Sequence, residues 1–392
     1  MSYNFDKLID RTGTHSVKYG LRNKLFGTEN VIPLWVADMD FETPDFIQNA
    51  LRKRVGHPVY GYTYHPESFY ESAQGWVKRR HNWNPQTEWM SFSPGIVPGV
   101  NLSILAFTEP EDRVMIQPPV YFPFFQGIEK NNRTLVENRL VLKNGRYEVD
   151  FEDFENQLKQ GVALFILSNP HNPGGNVWRR EELQKMGELC VLYGTRIIAD
   201  EIHSDIVFPP YEYVPMASLS DEIAHHTITF IAPSKTFNVA GLSSSLAITV
   251  DQSMKKEFDR MMDRLHISNG NIFGSVAFEA AYNQGDEWLD QLMDYLEANR
   301  EYLTQTIHAK IEGIKVIQPE GTYLAWLDCR GLPLEKEKIH EFMVQKAGLG
   351  LSDGASFGEN GLGFQRLNFG CPRATLEKAL ENLDKAVHSL KI

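Results

Sequence analysis

Several features that announce special environments are scarce or missing in this 392-residue chain. It has only three cysteines, Cys190, Cys329 and Cys371. They are odd in number, far apart and in no CxxC or Cys/His spacing, so neither a disulfide framework nor a zinc site is expected, and the expected metal content is none. No basic cluster exceeds Lys78-Arg79-Arg80, and 39 Lys+Arg stand against 51 Asp+Glu for a net charge of −12. That balance argues against nucleic acid as a partner. No apolar run approaches the roughly 20 residues of a membrane span. The opening MSYNFDKLIDRTG is charged and polar, unlike a secretion signal. A cytoplasmic protein in a reducing compartment, acting away from membranes, is the expectation. There are no repeats and no low-complexity stretches.

What is present is ordinary globular material, 42% hydrophobic and 23% charged, in a chain long enough to favour two domains. Three β-rich runs carry the informative residues. Residues 227–231 alternate Thr and Ile around a Phe and read as a buried strand. Ala232-Pro233-Ser234 breaks that strand, and Lys235 follows at once. A lysine just past a core strand, on a tight loop and partly shielded from water, suits one that must lose its proton and form an imine. Residues 197–199 close a second apolar run and deliver Asp200, Glu201, Ile202 and His203. Residues 163–167 close a third and deliver SNPHNPGG, with Asn169 and Asn172. In open α/β sheets, ligands sit outside the carboxyl ends of the strands. An amide, a carboxylate and an amine at three such ends match the needs of pyridoxal phosphate (PLP): a lysine for the aldehyde carbon, an anion for the ring nitrogen and a donor for the ring oxygen.

The rest of the chain supplies an α/β frame. Residues 1–34 are polar and irregular, before a strand over 32–36 and a loop from Ala37 to Asp40. Thr43 is expected to cap a helix with Pro44 at its first position, running to Val55. Another helix follows over 66–81. Ser93 to Gly99 is a Gly-rich turn feeding a helix, a geometry that binds anions. A strand over 113–117 ends near Tyr121, whose ring is placed to lie on a planar ligand. Strands over 135–142 and 147–149 flank an Asn144-Gly145 turn. Asp150 is expected to cap a helix to Gln160. A long amphipathic helix over 286–311 leads into a second unit with strands near 316 and over 322–328, 349–351 and 364–369, and helices around 339–346 and from 374 onward. Arg366 lies within an apolar strand. It pairs there with an internal acid or offers a planar fork to a substrate carboxylate.

WVADMDF (35–41), YGYT (60–63), SNPHNPGG (168–175), ADEIHSD (199–205) and SKTFNVAGL (234–242), in that order, resemble the class I/II aminotransferase superfamily of PLP enzymes. Within it they are most similar to the cystathionine β-lyase branch of C–S lyases. The resemblance spans residues 35–373. It implies fold type I: a large domain (46–287) with a mostly parallel central sheet flanked by helices, a smaller α+β C-terminal domain (288–392), and an N-terminal segment (1–45) packing with the small one. It implies Lys235 as the cofactor lysine, Asp200 on the ring nitrogen, Asn172 and His203 at the ring oxygen, and Tyr121 as a stacking and catalytic residue. The Gly95–Val97 amides, including Ile96, would hold the phosphate together with Ser234. Arg366 would take the substrate carboxylate, and Ala37 would border the substrate. Tyr62, with Tyr60 as the alternative, resembles a tyrosine that crosses a dimer interface to the neighbour's phosphate, which would make the enzyme a homodimer with a composite site.

Two departures stand out. Many aminotransferases have an arginine eight residues after the lysine, where this chain has Ser243, and a serine three before it, where this chain has Ala232. These leave the set of phosphate contacts open. The resemblance implies β-elimination of a thiol from cystathionine, cysteine or related S-conjugates, giving pyruvate and ammonia. An aminotransferase of aromatic or neutral amino acids is the alternative. A regulatory protein of this fold, acting through a protein partner, is a third reading, for which the sequence offers no residues.

Overall fold

The computed structural model describes residues 2–391. Its main sheet has seven strands: β1 (Met90–Ser93), β2 (Arg113–Ile116), β3 (Thr134–Glu137), β4 (Val162–Ser168), β5 (Arg196–Asp200), β6 (Thr227–Ile231) and β7 (Ser245–Ile248). Their spatial order is β1-β7-β6-β5-β4-β2-β3. Only β7 runs against its neighbours. The inner strands are buried along most of their length, and all five residues of β6 are buried. That is why β4 and β5 read as near-continuous apolar runs, while β6 buries Thr227 and Thr229 beside its apolar residues. The register pairs Ser168 with Asp200 and Asp200 with Phe230, so β4, β5 and β6 end level with one another. Three chemistry-bearing loops therefore leave one edge of the sheet.

The helix Asp286–Lys310 buries Leu289, Leu292, Leu296, Leu303 and Ile307 along one stripe. It leads into an antiparallel sheet of β8 (Lys315–Ile317), β9 (Leu324–Asp328), β10 (Ser352–Asp353) and β11 (Phe364–Asn368), ordered β8-β9-β11-β10. A short parallel ladder between Ile32–Pro33 and Leu349–Gly350 ties the N-terminal segment to this part of the chain.

Local expectations fared unevenly. Asp150 caps the helix Phe151–Lys159 by accepting from the Asp153 amide at 3.1 Å. Asn144 and Gly145 have the positive φ values, 50° and 82°, of a tight hairpin turn between Val141–Lys143 and Arg146–Glu148. The single strand expected over 135–142 is broken into β3 and the first arm of that hairpin. The strand expected over 32–36 shrinks to its first two residues. Thr43 is not a helix cap: Pro44 occupies that position before the helix Asp45–Val55, and the Thr43 hydroxyl donates to the Asn238 carbonyl instead. Residues 2–34 are more ordered than their polarity suggests, with short helices Val17–Gly20 and Arg22–Phe26 and a fully buried Lys18.

Candidate active site

The ends of β4, β5 and β6 open into a cavity of about 280 Å³. Its lining includes Ala37, Gly95, Ile96, Val97, Tyr121, Asn172, Asp200, His203, Ser234 and Lys235. Every site residue expected from the sequence is there except Arg366, which borders it through Asn172, and Tyr62. Tyr62 is fully exposed on the irregular stretch between the helices Asp45–Val55 and Glu67–His81.

Lys235 Nζ donates to the Ala37 carbonyl at 2.7 Å. Burial lowers its pKa from 10.5 to about 8; the nearby Arg366 cation pushes the same way, and Asp38 and Asp200 resist. Asp200 is the opposite case: burial raises its pKa to about 6, while the Ile202 amide on its Oδ1 (3.2 Å) and the Lys235 charge restrain the rise. The amine and the carboxylate are thus brought towards each other in proton affinity inside one cavity.

The choice between the two asparagines has a geometric answer. Asn169 turns its side-chain amide to the Val214 carbonyl at 3.1 Å, whereas Asn172 faces the cavity and accepts from Arg366 Nη1 at 2.9 Å. Arg366, on the buried strand β11, also donates from Nη2 to the Trp35 carbonyl (2.7 Å) and to Ser352 Oγ (3.2 Å). Among the described residues no carboxylate pairs with it, and its Nε is buried without a partner. Burial lowers its pKa to about 10. A guanidinium taken out of water with only neutral partners and a spare donor is costly unless an anion arrives. The internal ion pair considered from the sequence is absent among the described residues.

The far end of the cavity is an anion cradle. Gly95, with φ 137°, precedes the helix Ile96–Phe107, so the amides of its first turn lack intrahelical acceptors. Pro98 contributes no N–H, which leaves Ile96 and Val97 as donors. The turn is held by Ser93 Oγ on the Gly95 carbonyl at 2.9 Å and by Ser245 Oγ on the Ser93 carbonyl at 3.0 Å. Gly99 lets this helix lie on the sheet, since a Cβ there would meet the Phe230 ring at 2.3 Å.

Two orphaned polar atoms test whether PLP fits. Ser244 and His203 line this cavity, and Ser244 Oγ and His203 Nδ1 are buried without a partner. Burial and the Lys235 and Arg366 charges keep His203 neutral, its pKa well below the usual value. A phosphate at the cradle would satisfy Ser244, and a phenolic oxygen near Asn172 would give His203 a partner. The donor set fits the cofactor. Ser244 was invisible in sequence, where it is one serine in a run of three. Tyr323 was also missed: its hydroxyl joins Lys235 on the Ala37 carbonyl at 2.9 Å, and its ring meets His203 edge-on at 5.8 Å. Asn368, which holds the Val36 and Asp38 carbonyls at 2.6 Å each, had a usable signal as a polar residue inside an apolar strand.

Among the described residues no group of three or more His, Cys, Asp or Glu is arranged to hold a metal ion, and no helix is long and apolar enough to cross a membrane.

Comparison with known proteins agrees with this geometry. The chain is 42% identical over 385 residues to the cystathionine β-lyase PatB of Bacillus subtilis, covering 98% of this chain and all of that one. Cystalysin of Treponema denticola, whose crystal structure contains PLP, superposes with a TM-score of 0.96 at 34% identity, covering both chains completely. The PLP-bound C–S lyase of Staphylococcus hominis, complexed with the inhibitor L-cycloserine, superposes with a TM-score of 0.91 at 33% identity, covering 99% of this chain and 98% of that one. The family model for aminotransferase class I and II matches residues 29–383. The chain therefore belongs to the class I and II aminotransferase family, as a fold type I, PLP-dependent enzyme of the cystathionine β-lyase branch.

Proposed function

We propose that the protein is a carbon–sulfur β-lyase. In this reading it splits cystathionine, cysteine or a related S-substituted amino acid, with one water, into a thiol, pyruvate and ammonia. Bound PLP supplies an electron sink conjugated to the substrate Cα. Lys235 holds the cofactor and, once released, takes the Cα proton on Nζ. Asp200 keeps a proton on the pyridine nitrogen, and Asn172 and His203 flank the ring oxygen. Tyr121, which lines the cavity, would stack on the ring, with its hydroxyl held protonated, since burial raises its pKa. The electron pair of the Cβ–S bond leaves with sulfur, and the thiolate is protonated from Lys235 or Tyr121. Arg366 takes the substrate carboxylate through its spare donors, bordered by Ala37. Ser234, Ser244 and the Gly95–Val97 turn take the phosphate. Tyr62 reaches the same phosphate from a second copy, in a homodimer.

The observation that carries this reading is the lysine amine. It stands 2.7 Å from a neutral carbonyl, with its pKa lowered to about 8, so a sizeable share is free base near neutrality. The leaving group has room as well: beyond Ala37, Lys235 and Ala240 lies a second cavity of about 890 Å³. The choice of elimination over transamination rests on the named activities of the relatives. The test is pyruvate release from cystathionine by PLP-loaded protein, set against keto-acid-dependent amino transfer. Transfer without pyruvate would overturn the lyase assignment.

A further inference from the structure

The segment 35–41 presents the two cavity cations on alternate carbonyls. Trp35 O accepts from Arg366 Nη2 and Ser352 Oγ, and Ala37 O accepts from Lys235 and Tyr323. Positions two apart on an extended chain share a side. Four further carbonyls are also engaged: Val36 by Asn368, Asp38 by Asn368 and Lys18, Met39 and Phe41 by Asn238. The segment is a strap whose position fixes where Lys235 Nζ rests.

Behind the strap lies a cluster of four charges. Arg11 Nη2 meets Asp38 Oδ2 and Nη1 meets Asp40 Oδ1, both at 2.7 Å. Lys18 Nζ meets Asp40 Oδ2 at 2.7 Å and Asp38 Oδ1 at 3.4 Å, and donates to the Asp38 carbonyl at 3.2 Å. Two cations cancel two anions. Lys18 has no exposed surface at all, an arrangement that stability alone seldom favours over apolar packing. Asp38 adjoins Ala37 in the chain and is the member of the cluster whose charge acts on Lys235, so what neutralises Asp38 bears on the lysine.

We propose that Lys18 is a positioning residue for Lys235: it cancels the second carboxylate behind the strap and pins the Asp38 carbonyl, so that a larger share of Lys235 meets the Ala37 carbonyl as free amine. This rests on the proposed role of Lys235 as the base. The charged and titratable groups facing Lys235 are Asp38 from the strap, Asp200 and His203 from the end of β5, and Arg366 from β11, with the hydroxyls of Tyr121 and Tyr323. Loss of the Lys18 charge leaves the cluster net negative, which favours the ammonium form of Lys235 and raises its pKa.

The test is amine labelling of Lys235 in the full-length, cofactor-free protein, followed by peptide mass spectrometry across pH. The parent should show a midpoint near about 8. Lys18→Met should shift the midpoint upward and slow labelling at pH 7 about threefold, the effect of one unscreened charge at moderate distance. Lys18→Met combined with Asp40→Asn restores neutrality and should return the midpoint to the parental value. Arg11→Gln makes the same charge change from the half-exposed side and reads the same shift should Lys18→Met fail to fold. In the holoenzyme, kcat should fall by a similar factor while KM holds. An unchanged midpoint in whichever of these single variants folds overturns the proposal. So does a shift of equal size in the double variant, which would trace the effect to lost packing. Labelling does not depend on which reaction is catalysed, so a failed lyase assay leaves this test intact.

Discussion

Two stretches flanking the helix Asp45–Val55 make an instructive pair. The strap at 35–41 and the loop at 57–65 are both irregular, and both carry aromatics. The strap is held along most of its length: its carbonyls accept from Lys18, Lys235, Asn238, Tyr323, Arg366 and Asn368, and Met39 and Phe41 are buried. The loop is almost bare. Tyr60 bonds the Val55 carbonyl, but Val59, Tyr60, Tyr62 and Tyr64 all lie exposed. The strap's partners all come from its own chain, whereas a cluster of exposed large side chains marks a surface meant for another molecule. The strap explains what one copy builds. The loop is where the proposed homodimer would place a second copy.

The largest expected effect is on the strap side. Lys235→Ala should cut thiol release by at least about a thousandfold, the upper range for a lost proton-transfer group. Borohydride treatment of the parent should leave a pyridoxyl group on residue 235. Labelling of another lysine would break the assignment. Next comes Asp200→Ala, which sits on neither segment and serves as the control. The fold and much of the cofactor should remain, while turnover drops about a hundred- to a thousandfold, the scale for losing one preorganised electrostatic partner. Undiminished turnover would remove Asp200 from the mechanism.

Arg366→Lys keeps the charge but gives up the planar fork. A charge-assisted pair is worth about 1.5–3 kcal/mol, so kcat/KM should fall roughly ten- to a hundredfold, with cofactor absorbance and Tm near normal. Amines lacking the carboxylate should be poor substrates, little affected by the change. Should Tm fall sharply and both substrate types suffer alike, Arg366 is a support for the strap alone.

How legible these regions were in sequence follows from the same contrast. The strand ends carrying Asn172, Asp200 and Lys235 were readable because buried parallel strands are apolar runs, and their ends stand out. Asp150 and Asn144-Gly145 were readable because capping and tight turns use few residue types. The strap's grip was not. It is made by side chains distant in the chain, such as Tyr323 and Asn368, on main-chain carbonyls that carry no sequence signal. Lys18 carried no signal, because nothing local says that Asp40 is buried beside it. Thr43 was misjudged for the same reason, since a distant carbonyl, that of Asn238, outcompeted the helix end.

The smallest expected effect falls on the loop. Tyr62→Phe keeps the ring and removes the hydroxyl, so the protein should fold and sediment as the parent does. If that hydroxyl bonds the partner's phosphate, the dissociation constant for PLP should rise about tenfold, the lower end for one charge-assisted hydrogen bond. A mixing experiment separates this from a local effect. In a mixed dimer of Tyr62→Phe and Lys235→Ala chains, the chain keeping Lys235 faces a partner that keeps Tyr62. Borohydride trapping on Lys235 should then report parental PLP affinity at that site. If Tyr62 acts within its own chain, the same site pairs Lys235 with the altered loop and stays tenfold weaker. Trapping that remains weak in the mixture would confine Tyr62 to its own subunit and erase the contrast between the two segments.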